Sequence, residues 1–371
     1  MKSAPTLNTS TLQRNQESGE KKLKNKDPQK SLASKPKAGM SGPCIVLVII
    51  AFALGIMVQG KYDLARTFLN GLVSQKSMQR QKLAKIFDFH QKRPAWSRFQ
   101  IQKETDHPTY TEQLLEFTGQ DDNDRLSAYL LIPKSATSAT SQKLPAALCI
   151  HGHHSTKEDV AGITSSPYNI NYGYTLVKEG YIALVPDVRY SQDIWRLEDP
   201  VGLNLLLYGK SLTGERLRDM LRCVTFLKNH DQVDPDRIGV VGWSMGGGLA
   251  LYLCALDERI KLSYISCYFG TYEETVMAVR QSTDNYIPGI KNFGDLPDAA
   301  ALIAPRPLLI EHGTPDREFP VESVKEAFEK VKDVYAKEGE ADKVKLVIRD
   351  GGHRFYGDQL IPWFNQFFRA R

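Results

Sequence analysis

The chain has 371 residues, 42% of them hydrophobic, a formal net charge of +5 and a mean hydropathy of −0.36, the profile of an ordinary soluble core. The charge is local: residues 1–37 hold nine Lys/Arg and three Asp/Glu, so the remainder sums to about −1, which excludes a basic, nucleic-acid-seeking body. Five cysteines, sparse and unevenly placed, exclude a disulfide framework.

Residues 1–40 are rich in Lys, Ser, Gln, Asn and Pro and nearly free of aromatics, a composition that reads as disordered. Cys44 to Val58 is then apolar on every side. As a helix it spans about 22 Å, inside an uncharged window from Ala38 to Gly60 wide enough to cross a bilayer. Ala51-Phe52-Ala53 has the form of a signal-peptidase site. The forty-residue basic leader favours an uncleaved signal-anchor over residues 41–60. With the basic side in the cytoplasm, the rest of the chain lies on the periplasmic or extracellular side.

Residues 61–97 read as a linker and helix carrying Leu83, Ile86, Phe87 and Phe89, and residues 98–371 as the catalytic domain. Gln113–Phe117 and Leu126–Ile132, separated by an Asp-Asp-Asn-Asp turn signal, are opening antiparallel strands. From Pro145 onward apolar β-branched runs alternate with helical patterns, among them Leu217–Leu227 and Val321–Tyr335. That alternation specifies a parallel doubly wound sheet. Residues 189–213 and 270–300 are not needed for the sheet; their aromatics Tyr190, Trp195, Tyr208, Tyr272, Tyr286 and Phe293 are candidates for substrate contact or for padding.

Gly242-Trp243-Ser244-Met245-Gly246 carries the chemistry. It follows the strand-like Arg237–Val241 and opens a helix-like run from Gly247 to Leu256, the strand–turn–helix context of a nucleophile elbow. A serine hydroxyl needs a base and an acid that orients the base. The apolar run 307–310 ends in a polar turn containing Asp316, and the run 344–348 ends in Asp-Gly-Gly-His353. Asp316 is the expected acid, with Glu318 next in line, and His353 the expected base. Asp350 reads as a turn residue, His312 as a packed neighbour, and His90, His107 and His230 as solvated. The oxyanion hole is assigned to the amides of Met245 and His153, the latter in the strand-end sequence His151-Gly152-His153-His154. No Cys or carboxylate is spaced near these histidines as a metal set would require, so neither a metal nor a cofactor is expected.

In order and spacing these motifs, with Val233-Asp234-Pro235-Asp236-Arg237-Ile238-Gly239 and Ala304-Pro305-Arg306-Pro307, make residues 144–368 resemble the dienelactone hydrolase and acetyl xylan esterase-like branch of the α/β-hydrolases. The resemblance implies an eight-stranded, mostly parallel sheet with helices on both faces. It also implies a metal-free serine mechanism on carboxylic esters, with acetyl esters of sugars as the family analogy. Dienelactone hydrolases proper use cysteine where this chain has Ser244, which points to ordinary esters rather than lactones. Prolyl oligopeptidase-type peptidases share a similar catalytic domain, and the 143 residues ahead of Leu144 are too few for their propeller. A peptidase or amidase lacking it, and a non-catalytic binding protein on the same fold, are the alternatives.

Overall fold

The computed structural model describes residues 71, 75–89, 96, 98–122, 124–136, 143–168 and 170–369. The expected disordered leader and the membrane segment 41–60 lie outside them. Among the described residues, no helix is long and apolar enough to cross a membrane.

Nine strands form one sheet: β1 (Arg98–Asp106), β2 (Tyr110–Thr118), β3 (Arg125–Pro133), β4 (Leu144–Ile150), β5 (Ile182–Pro186), β6 (Val233–Trp243), β7 (Leu262–Ser266), β8 (Leu308–Thr314) and β9 (Val344–Asp350). Their order is β1-β2-β3-β5-β4-β6-β7-β8-β9. The first three pair antiparallel, β3 pairs antiparallel with β5, and the pairings from β5 to β9 are parallel. This corrects the expected eight strands. The additional one, β1, is an exposed edge strand; Phe99 and Ile101 remain half in water, so little apolar patterning marks it.

The parallel strands β4, β5 and β7 are buried almost throughout because helices cover both their faces, and β4 and β5 are apolar to match. Side chains alternate between the two sides. Ala146, Leu148 and Ile150 of β4 join one core with the helices Leu212–Asn229, Met245–Leu256 and Val321–Lys337, while Ala147 and Cys149 join the other with Tyr172–Lys178 and Leu360–Phe368.

The helix over 75–86 belongs to the first core. Leu83 is completely buried, with Phe87 and Phe89 beside it. Arg80 donates to the carbonyls of Ala255 (2.9 Å) and Leu302 (3.0 Å), and Lys76 to that of Ala304 (2.9 Å). These oxygens lie at the C-terminal ends of Met245–Leu256 and Leu296–Ala301 or just beyond, where carbonyls lack helical partners and favour cations. Two motif arginines act similarly. Arg306 donates to Cys254, Asp257 and Ile260 carbonyls, and Arg237 reaches Asp234 and the carbonyls of Lys143 and Phe368. Leu83→Ala is expected to destabilise the protein by about 2–5 kcal/mol in urea unfolding. A change below about 0.5 kcal/mol, the range of surface substitutions, would show that the helix is not part of the folded core.

Candidate active site

β6 ends at Trp243 and the next helix starts at Met245, leaving Ser244 alone in the turn. Its backbone is at φ 55°, ψ −125°, a sparsely populated conformation costing about 1–3 kcal/mol. Close packing holds it there. A Cβ on Gly242 would sit 2.1 Å from the Gly246 carbonyl oxygen, and one on Gly246 would sit 2.1 Å from that of Ile150. The Ser244 amide donates to the Ser266 carbonyl on β7 (2.8 Å), so neighbouring strands grip the turn from both sides.

The three residues expected to act together meet at the C-terminal ends of β6, β8 and β9. Ser244 Oγ donates to His353 Nε2 at 2.8 Å, and His353 Nδ1 donates to Asp316 Oδ2 at 2.7 Å. The second carboxylate oxygen, Oδ1, accepts the amides of Glu318 (2.9 Å) and Phe319 (3.2 Å). The imidazole lies between the rings of Trp243 and Phe319, with centroids 5.5 and 6.1 Å away. Burial alone would lower its pKa, but the hydrogen bond and charge of Asp316, helped by Glu318, outweigh burial and raise it. Burial would raise the Asp316 carboxyl; the bond and charge of His353, then His312 and the Glu318 amide, hold it below the usual carboxylate range. Glu318 is exposed at the cleft and Asp350 is exposed, so neither replaces Asp316.

Met245 begins its helix, where an amide has no intrahelical acceptor. His153, on the loop after β4, lines the cleft with Ser244. Gly152 permits that placement, since a Cβ there would meet Trp243 at 2.7 Å. His151 is buried and fixes the loop: Nδ1 donates to the Gly152 carbonyl (2.9 Å) and Nε2 accepts the Val188 amide (3.1 Å), which defines one neutral tautomer. His312 is also buried, donating from Nε2 to the Phe319 carbonyl at 2.7 Å, and burial lowers its pKa.

The cleft has a volume of about 560 Å³ and a mixed wall: Tyr168, Ile194 and Trp243 beside Asp199, Arg280, Gln281, Ser282 and Glu318. None of the described aromatics expected there lines it. Tyr190, Tyr208 and Tyr286 are exposed, Phe293 is buried elsewhere, and Tyr272 is buried with its hydroxyl 2.6 Å from that of Tyr252. The Trp195 side chain lies outside the described residues.

Two groups at the site carry no local sequence signal. Glu311 is wholly buried and accepts from Tyr264 Oη, Ser266 Oγ and the amides of Tyr356 and Gly357, tying the chain after His353 to β8. Burial raises its carboxyl despite these donors. Arg216, Glu198 and Asp284 form a buried charge cluster behind His153. A strand-end glutamate or a helix arginine is read as solvent-facing unless the partner is known.

Among the described residues, two donor sets have atoms within 4.8 Å of one another: Cys267, His312 and Asp316, and His153, Glu198 and Asp284. Neither has the chemistry of a metal site. Burial pushes the Cys267 thiol up to about 12, while Asp316 is engaged by His353. In the second set Arg216 donates to both carboxylates at 2.8 Å, filling the cation's place.

A family model described as the dienelactone hydrolase family matches residues 127–348. YtaP of Bacillus subtilis (strain 168), which bears the name of a hydrolase, is 29% identical over 253 residues, 65% of this chain and 81% of that protein. The quorum-quenching protein AidA of Acinetobacter baumannii (strain MDR-ZJ06) is 29% identical over 171 residues, 46% of this chain and 49% of AidA. Among solved structures, a Bacteroides fragilis NCTC 9343 protein named as an acetyl xylan esterase superposes with TM-score 0.63 at 22% identity, covering 78% of this chain and 86% of its own. A glucuronoyl esterase from Solibacter usitatus superposes with TM-score 0.57 at 15% identity, covering 78% and 91%. These superpositions establish a shared α/β-hydrolase fold.

Gly246→Ala is expected to lower stability by about 3 kcal/mol or more, at or beyond the upper end of overpacking costs, because the added carbon meets rigid backbone on β4. Denaturant unfolding measures it; wild-type stability with an intact serine would mean that the turn has room the packing denies.

Proposed function

The chain belongs to the dienelactone hydrolase family and is a carboxylic ester hydrolase, and we propose that it works through a Ser244–His353–Asp316 triad and an acyl-enzyme. The observation that carries this reading is the unbroken hydrogen-bond chain from Asp316 through His353 to a serine held on a strained turn at the base of the cleft. Ser244 Oγ attacks the ester carbonyl while His353 Nε2 takes its proton. The carbonyl oxygen gains charge and receives the amides of Met245 and His153. His353 returns the proton to the departing alcohol, and Asp316 holds the imidazole in the tautomer that both transfers need. Water, deprotonated by the same imidazole, then releases the acid.

The substrate class we infer is acetyl esters of sugars. Its support is the mixed cleft wall, with polar side chains beside the aromatic surface of Tyr168 and Trp243, and the name of the superposed acetyl xylan esterase. A membrane anchor over residues 41–60, with the catalytic body on the extracytoplasmic side, completes the proposal on the strength of the apolar run and its basic leader.

Ser244→Ala is expected to lower kcat on a nitrophenyl or sugar acetate by about 10³- to 10⁶-fold while the fold is kept, and to abolish labelling by a fluorophosphonate. Near-wild-type turnover in that variant would remove the assignment. Asp316→Asn should cost about 10⁴-fold. It should also move the acid limb of kcat/KM to lower pH: with the hydrogen bond and charge of Asp316 gone, only the weaker pull of Glu318 opposes burial, and the imidazole loses its proton at lower pH. An acid limb that stays put or moves upward would place the oriented acid elsewhere.

A further inference from the structure

Behind the cleft wall lies a buried charge cluster that the triad does not require. Glu198 and Arg216 are fully buried and Asp284 nearly so. Arg216 donates from Nη2 to Glu198 Oε2 (2.8 Å), from Nη1 to Asp284 Oδ2 (2.8 Å) and from Nε to the Arg189 carbonyl (2.9 Å). One guanidinium thus faces two carboxylates. The remaining oxygen of Asp284 takes only neutral donors, Ser282 Oγ (2.6 Å) and Asn285 Nδ2 (2.9 Å).

An uncompensated buried carboxylate is expensive, so the cluster calls for a second cation. The His153 ring is placed to be that cation. Its Nε2 lies 3.0 and 2.9 Å from the two Glu198 oxygens and 3.7 Å from Asp284 Oδ2. Burial pulls the imidazole toward neutrality, and Arg216 opposes its charge, but Asp284 and Glu198 prevail and raise its pKa. The same ring belongs to the cleft wall with Ser244 and His353; Asp199, Arg280 and Glu318 are the other charged groups facing that space.

We propose that Glu198 is a positioning residue for ester cleavage: through the His153 imidazole it fixes the oxyanion loop and keeps a buried positive charge beside Ser244. This rests on the serine-esterase reading above. The His153 amide and the ring charge act on the same developing oxyanion, and neither has to reorganise during the reaction. The segment that carries Glu198 is itself anchored. The Thr283 amide donates to Asp199 Oδ1 (3.2 Å), and Gly202 lies so close to Thr283 that a Cβ would come within 2.3 Å of its hydroxyl. The cluster therefore links the segment over the cleft to the oxyanion loop.

The test uses the full chain. Glu198→Gln is expected to reduce kcat about 10- to 100-fold, less than the ~10²–10³ lost with an oxyanion donor itself, with KM changed less than about twofold. Its acid limb of kcat/KM should move to higher pH. The charge on His153 lowers the pKa of His353, and losing that charge lets the base hold its proton to higher pH. Glu198→Asp, which keeps the charge, should bring the limb back. Nitrogen-15 NMR of the wild-type imidazoles, with His153 assigned through His153→Asn, should show both its nitrogens protonated at pH 7. A Glu198→Gln variant with wild-type kcat and an unmoved limb, or a neutral His153 at pH 7, overturns the proposal. If the variant does not fold, the wild-type spectrum decides. Failure of wild-type Ser244 to react with a fluorophosphonate would instead sink the esterase reading, and the spectrum would still report on His153.

Discussion

Backbone against backbone at the end of β6 is the contact on which this molecule turns. Gly242 packs on the Gly246 carbonyl and Gly246 on the carbonyls of Ile150 and His151, so three chain segments converge with no side chain between them. That crowding stores the unfavourable dihedrals of Ser244, and two cores, one on each face of the sheet, keep the segments from relaxing. The strain has a geometric product: Oγ stands clear of its own backbone, 2.8 Å from the imidazole. Because β4 touches the elbow directly, the loop bearing His153 is located by the same contact that locates the nucleophile.

Electrostatics follow from that placement. Each titratable group in the relay is buried enough for its partner to outweigh water: the carboxylate is held charged and the imidazole basic. Beneath them lies a second layer of fixed charge and hydrogen bonding, Glu311 behind the His353 loop and the Arg216 cluster behind His153. Two strand-end loops are thereby each held by a carboxylate that solvent cannot reach.

Much of the site was legible because it is written locally. The elbow is a short run whose residue types are dictated by sterics, and Asp316 and His353 each follow a strand-like run, the inner strand β8 and the edge strand β9. The sheet's parallel half was legible for the same reason: strands buried on both sides have nearly uniform apolar composition. Edge strand β1 was less so, since a strand exposed along nearly its whole length and unpaired on one edge needs little apolar patterning. The aromatics of the long segments left two roles open, substrate contact or padding, and only packing chose: Tyr272 is packed against Tyr252, Tyr208 and Tyr286 face water, and the cleft is walled by Tyr168 and the elbow's own Trp243.

The amino-acid order alone marked Ser244, Asp316 and His353 as candidates, because each sits in a motif whose neighbours betray its strand and turn. Only the folded chain decided which charges are shared. Arg216, Glu198 and Asp284 come from separate stretches, each able to stand in water by itself. Their pairing arises when packing removes that water and brings them, with His153, into one cluster.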